Sequence, residues 1–434
     1  MTTTLAASRR RLHYAWVVVA VAFVGLLTAQ GARLSFGAFI GPWQNEFGTS
    51  RGSISLISTV SFLVYGVTQP LAGRLVDRVG SRAVLSGSAA LVGVGLAVAA
   101  TARSPLHLAL TYGLLASVGF GGASQVVASV AVTEWFIARR GLVFAVVEAA
   151  YGAGQILVVP AALALVTTVG WRPTLVVLAG LAAVVAAPVM LVLLRSRPAD
   201  KGLEPYGGAS VLVPEERQHP EAPAVRVERP PVSSLLRRRE FWGLALPFFV
   251  CGYTTTGMID THLIPLAHDH GYGTATTGAA VGVLAVFNVL GTLASGPLAD
   301  RYDSRLILAG LYGMRAVTLV VLLFTHSTPA LLVFSLTFGL VDFATVAPTQ
   351  VLASRWFRGH SLGLVFGLIF LAHQVGSAVG AYVPGALHDV TGSYDLALLG
   401  GVAVLVLATL TSAALPDPRR GTGAATTVPA PSPA

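Results

Sequence analysis

The 434 residues are 54% hydrophobic and only 11% charged, with a mean hydropathy of +0.73. So little polar surface cannot cover a water-soluble globule of this length, and the fold class expected is an all-α polytopic membrane protein. The formal charge of +9 does not mark a nucleic-acid partner, because the basic residues are sorted by side of the membrane rather than gathered in one patch.

An N-terminal tail, residues 1–13, carries Arg9, Arg10 and Arg11. The first apolar run, Tyr14 to Phe36, is longer than a signal-peptide core and has no convincing cleavage site, so it reads as a span. Runs of about 20 apolar residues match a hydrocarbon core about 30 Å thick, whereas a β-barrel would alternate over about 10. A first six-helix bundle over 14–194 continues with Ile54 to Gly73, Ala83 to Thr101, Leu106 to Thr133, Leu142 to Thr168 and Thr174 to Leu194. Residues 195–239, rich in Pro, Glu and Arg, read as a cytoplasmic linker with a short helix near Ser233 to Arg239. A second bundle over 240–415 follows: Phe241 to Pro265, Thr277 to Gly296, Leu306 to Thr325, Pro329 to Ala353, Ser361 to Leu387 and Leu396 to Leu415. The Thr-, Ala- and Pro-rich tail 416–434 is expected to be disordered.

Of the 28 basic residues, only Arg51, Arg103 and Arg172 fall on one side of these spans, with Arg33 and Arg315 inside them; the other 23 share the opposite side. This bias puts both termini in the cytoplasm of a cell whose plasma membrane holds the chain. The single cysteine, Cys251, excludes an internal disulfide, and no metal cluster or cofactor motif is evident. No nucleophile-and-base constellation suggests an enzyme.

The two bundles repeat. Gly73 to Arg82 (Gly-Arg-Leu-Val-Asp-Arg-Val-Gly-Ser-Arg) returns 223 residues later as Gly296 to Arg305 (Gly-Pro-Leu-Ala-Asp-Arg-Tyr-Asp-Ser-Arg). Trp135-Phe136 returns as Trp356-Phe357, shifted by 221, and Gly141 to Phe144 returns as Gly363 to Phe366, shifted by 222. A duplicated six-helix unit is the plan of alternating-access carriers.

Gly73-x-Leu75-x-Asp77-Arg78-x-Gly80-x-Arg82 resembles the signature loop between the second and third helices of the major facilitator superfamily. Within it the chain is similar to the monocarboxylate transporters and the oxalate:formate-type antiporters. The residues carrying that likeness include Glu46-Phe47-Gly48-x-Ser50-Arg51, Trp135-Phe136-x-x-Arg139-Arg140, Gly170-Trp171-Arg172 and Asp389-x-x-Gly392-x-Tyr394. The resemblance implies a twelve-helix carrier, working as a monomer, for a small organic anion. It does not carry over the eighth-helix Asp and Arg of the animal transporters, since Asn288 and Thr292 stand at those positions, and the first-helix Lys falls at Leu34. The Gly-Pro motif of drug/proton antiporters is missing from Glu148 to Pro160.

A charge in mid-bilayer costs at least about 2.5–3.5 kcal/mol, so ionisable groups inside spans are functional candidates. Arg33 is read as a fixed cation for an anionic substrate, against snorkelling to the headgroups. Tyr151, Gln155, Asn288 and His373 are candidates to line the same route, against plain helix packing. Glu148, Asp260, His262 and Asp342 are candidates for proton coupling, the bland alternatives being helix-to-helix and helix-end contacts. Arg315 is read as a structural partner of Asp342 or a snorkelling residue. Gly73, Asp77, Arg78, Arg82, Asp300 and Arg301 form an expected cytoplasmic gate, Asp77 being the latch onto a helix N-terminus. The function expected is secondary active transport of a carboxylate, by symport or exchange; the alternative is a neutral or aromatic solute, or drug-type efflux.

Overall fold

The computed structural model describes residues 13–49, 51–208 and 230–416, nearly all of them helical. Among the described residues, ten helical runs are long and apolar enough to cross a membrane. One of them, Leu56–Ala99, is two helices joined at Gly80, whose backbone (φ 82°, ψ 158°) is closed to residues with a Cβ. A side chain there would also meet Ser196 Oγ at 2.3 Å, so the corner demands glycine twice over. With that division, and with the further helical stretch from Arg239 to Asp269, the twelve expected spans are present.

The chain divides into two units, Met1–Thr68 with Leu75–Arg226, and Gln69–Arg74 with Val227–Ala434. The first contains α1 (Tyr14–Leu34), α2 (Phe36–Phe47), most of α3 (Arg51–Ala99), α4 (Pro105–Leu108), a π-helical stretch Ala109–Ala116, α5 (Ser117–Gly122) and α6 (Gln125–Trp135). It ends with α7 (Arg140–Val169), α8 (Trp171–Gly180), a π-helical stretch Leu181–Ala186 and α9 (Ala187–Leu193). The second contains α10 (Val232–Leu236), α11 (Arg239–Gly252), a π-helical stretch Tyr253–Ile259, α12 (Asp260–Asp269), α13 (Thr274–Arg301) and α14 (Ser304–Leu323). It closes with α15 (Thr328–Val341), α16 (Val346–Trp356), α17 (Leu362–Thr391) and α18 (Asp395–Ala413).

The repeat is visible in the packing. In the first unit α1 lies along α7, and in the second α11 lies along α17. Both pairs cross on glycines. A Cβ on Gly154 would stand 3.0 Å from Gly31 N and Leu27 O, and one on Gly376 would stand 2.0 Å from Phe249 O. Gly31 and Gly252 are 221 residues apart, Gly154 and Gly376 are 222 apart, so the crossings are copies. Inside lipid such close backbone approach is what holds helices together, because the hydrocarbon tails are as apolar as leucine.

Two of the motifs prove to be clamps within the first unit. Glu46 accepts from Trp171 Nε1 at 2.6 Å and pairs with Arg172, whose Nη2 also donates to Ala102 O at 2.9 Å. At the other end Trp135 Nε1 donates to Arg195 O at 2.8 Å, and Tyr206 N donates to Trp135 O at 2.8 Å. The Tyr206 ring packs on His13, Trp16 and Phe136, so the start of the linker is strapped to this unit.

The far end of the linker is tied to the second unit. The short helix expected near Ser233 is α10, and Arg238 beyond it donates to Trp356 O at 3.1 Å while lying over the Phe357 ring. Ser234 Oγ meets His360 Nε2 at 3.1 Å. Burial, and then the neighbouring Arg238 charge, hold the His360 imidazole below its usual pKa. The unfolded chain therefore takes up a proton near pH 6.5, roughly, that the folded chain refuses, so this contribution is complete above that pH and is lost as the pH falls. Thermal unfolding between pH about 7 and 5 should thus slope more steeply in the wild type than in His360→Gln. The expected disordered tail lies, from residue 417 on, outside the described residues.

Candidate substrate and coupling site

Among the described residues each unit buries one arginine inside its spans, and the two are used differently. Arg33, in the last turn of α1, is 9% exposed. Its Nε donates to Gln30 Oε1 at 3.1 Å, one helical turn earlier, and Gln30 Nε2 donates to Ala123 O at 2.9 Å. Tyr112 Oη donates to the Arg33 carbonyl at 3.3 Å. The guanidinium carbon lies 4.4 Å from the Tyr65 ring centre and 5.4 Å from that of Phe62. Among the described residues Nη1 and Nη2 have no partner and no carboxylate pairs with the group. A cation so held, stacked on one face and aimed by its Nε, presents a free fork of two nitrogens.

Glu148, one of the proton-coupling candidates, is buried in α7 and makes no ion pair with Arg33. Tyr151 is half-buried and Gln155 exposed along the same helix. Gln30, Tyr65 and Tyr112 were not singled out from the sequence. Only Gln30 had a readable signal there, three residues before Arg33 and so on the same helix face.

In the second unit the sequence candidates do converge. Asn288 Nδ2 on α13 donates to Asp342 Oδ2 at 2.6 Å, and Thr292 Oγ1 donates to Asn288 Oδ1 at 3.3 Å. Asp342 is fully buried at the break between α15 and α16. Arg315 on α14 is fully buried too, so it does not snorkel; its Nη2 donates to the carbonyls of Val341 (2.5 Å) and Asp342. Asp260 starts α12 directly after the π-helical stretch, exposes its side chain and lies within electrostatic reach of Asp342 and His373. The His373 ring is buried against Phe248, and Ser377 Oγ donates to its carbonyl at 3.0 Å. His262 stands apart from this group: its ring nitrogens meet Tyr394 Oη at 3.3 Å and Ala381 O at 3.0 Å, tying α12 to α17 and to the start of α18.

The residues expected to form a gate are held by local geometry. Gly73, within the second unit, crosses Gly363 so closely that a Cβ would lie 2.0 Å from the Gly363 carbonyl oxygen. Arg82 Nε donates to Leu191 O at 2.7 Å, and Asp77 is half-buried beside exposed Arg78. In the copy, Asp300 is half-buried, Arg301 is exposed, and Asp303 takes the place of Gly80; it caps α14 and binds Arg305 at 2.5–3.0 Å.

No group of histidine, cysteine or acidic side chains able to hold a metal occurs among the described residues. The Major Facilitator Superfamily model matches residues 21–341 and again 250–433. The chain belongs to the Major Facilitator Superfamily. It is 26% identical over 400 residues to the MFS-type transporter YcxA of Bacillus subtilis, covering 88% of this chain and 90% of that one. It is 25% identical over 411 residues to monocarboxylate transporter 12 of Homo sapiens, covering 89% and 77%. Among solved structures the fold matches the proton:xylose symporter XylE (TM-score 0.71, 15% identity, 92% and 94% covered). It also matches the human organic anion transporter MFSD10 (TM-score 0.69, 17% identity, 92% and 99% covered). This superfamily member is thus a multi-pass membrane transporter, not an enzyme, and its relatives by sequence include monocarboxylate transporters.

Proposed function

We propose that this carrier moves a small organic anion, a carboxylate with an apolar body, across the plasma membrane by alternating access, with both termini cytoplasmic. The observation that carries the reading is the Arg33 fork: a nearly buried guanidinium over the Tyr65 ring, with two nitrogens unpaired among the described residues. A carboxylate matches that fork bidentately, and the exposed Phe62 ring offers its body an apolar surface. The names of monocarboxylate transporter 12 and of the organic anion transporter MFSD10 support the same class. Asp342 and Asp260 are the carboxylates we assign to coupling, with Glu148 a third; the two ring contacts of His262 suit a helix-end tie better. Tyr151, Gln155, Asn288 and His373 are proposed as further polar lining, and Asp77 with its copy Asp300 as parts of the cytoplasmic gate.

The test is a thermal-shift screen of the purified chain against mono- and dicarboxylates, neutral aromatic metabolites and cationic drugs at two pH values. Stabilisation by a carboxylate that disappears in Arg33→Ala is the expected result. Shifts confined to neutral or cationic compounds, or kept in the variant, would overturn it.

A further inference from the structure

The fourth spanning helix of each unit is interrupted at the same place in the repeat. In the first unit, Ala123 (φ −87°, ψ 54°) and extended Ser124 separate α5 from α6. In the second, residues 342–345 separate α15 from α16, with Ala344 and Thr345 lying 221 positions beyond Ala123 and Ser124. A break leaves carbonyls that no amide of a following turn reaches, and inside a bilayer each needs another donor. Gln30 supplies it in the first unit, through Nε2 to Ala123 O.

The second unit lacks that amide. The residue 221 positions beyond Gln30 is Cys251, whose thiol meets the Thr345 hydroxyl at 3.2 Å rather than a carbonyl of the break. Arg315 takes over from a different helix, one Nη2 bridging the carbonyls of Val341 and Asp342. It makes no ion-pair contact with a carboxylate among the described residues: the Asp342 carboxylate, though within its electrostatic reach, accepts from Asn288 instead. Its guanidinium carbon lies 5.6 Å from the centre of the Tyr312 ring, also fully buried. These two carbonyls, at the negative end of the 14-residue α15, form an arrangement suited to a cation.

We infer that Arg315 is the tethered resident cation of this break: it satisfies the carbonyls of Val341 and Asp342, holds the non-helical turn, and so aims the Asp342 carboxylate at Asn288. It is a positioning residue, and its bearing on transport rests on the coupling role proposed for Asp342. The test uses the full chain carrying Arg315→Ala or Arg315→Lys. Arg315→Ala should lose several degrees of thermal stability and regain most of them with guanidinium or methylguanidinium at low millimolar concentration, but not with tetramethylammonium, which has no N–H donor. Arg315→Lys, with charge but no fork, should fold, melt between the two, and shift the pH midpoint of uptake. The melting arm needs neither solute nor proton gradient, so it stands even where the coupling role of Asp342 fails. Wild-type melting in Arg315→Ala overturns the inference. So does a loss that guanidinium does not repair, or, where Arg315→Ala yields no folded protein, an Arg315→Lys variant with wild-type melting and pH midpoint.

Discussion

Uptake of the proposed carboxylate substrate by Arg33→Ala should fall by roughly thirty- to several-thousand-fold at low substrate, the equivalent of about 2–5 kcal/mol for truncating one member of a desolvated hydrogen-bonded charge pair. The loss belongs to binding rather than to folding. No carboxylate among the described residues is orphaned by the change, so the stability cost that accompanies a broken buried ion pair does not arise. Arg33→Lys separates charge from geometry. An ammonium on that stem keeps the positive charge but gives up the Nε bond to Gln30, the guanidinium's contact over the Tyr65 ring and the two-pronged contact. It should recover part of the affinity, more for monocarboxylates of small size than for those that need both oxygens held. Radiolabelled uptake into proteoliposomes, read as KM and maximal rate, checks this. Wild-type KM in Arg33→Ala would remove the guanidinium from the route.

Much of this design was legible in the chain, for physical reasons. A bilayer imposes span lengths and charge sidedness, so twelve spans could be placed from hydropathy. The duplication could be read because Trp135-Phe136 and Trp356-Phe357 hold rim positions that both units reuse, Phe136 packing on Trp16 and Phe357 under Arg238. Asn288 and Asp342 were picked out separately as polar groups in apolar runs, and their 2.6 Å bond is what desolvation demands of both. Pairing across helices was harder to see. Arg315 was read as a partner of Asp342 or a snorkelling residue, whereas its bonds go to the backbone carbonyls of Val341 and Asp342, which no side-chain pattern announces. Gln30 and Tyr65 escaped notice because only helix crossing brings Ala123 and the Tyr65 ring to the end of α1.

The glycine crossings yield the largest structural effect. Gly376→Val places a branched side chain where even a Cβ would stand 2.0 Å from Phe249 O and 3.1 Å from Tyr253 N. Both are backbone atoms of α11 and the π-helical stretch that follows it, so no side-chain rotation relieves the clash and α11 must move off α17. Overpacking of an ordinary core costs about 1–3 kcal/mol, and forcing α11 off α17 also breaks the packing of the Phe248 ring on Phe370 and His373, so the cost here is higher. The second unit should therefore fail to assemble, seen as loss of the monodisperse peak on size-exclusion chromatography after membrane extraction. Its copy supplies the internal scale. Gly154→Ala meets Gly31 N and Leu27 O at 3.0 Å, a strain that a shift of a few tenths of an ångström relieves, so the protein should still be recovered, with lower thermal stability. Gly180→Ala, in α8 with nothing within 4 Å, should be neutral or mildly stabilising, by up to about 1 kcal/mol from helix propensity alone. The order expected is Gly376→Val worst, then Gly376→Ala, then Gly154→Ala, with Gly180→Ala at or above wild type. Recovery of Gly376→Val at wild-type yield and melting temperature would mean that α11 and α17 are not held by this contact.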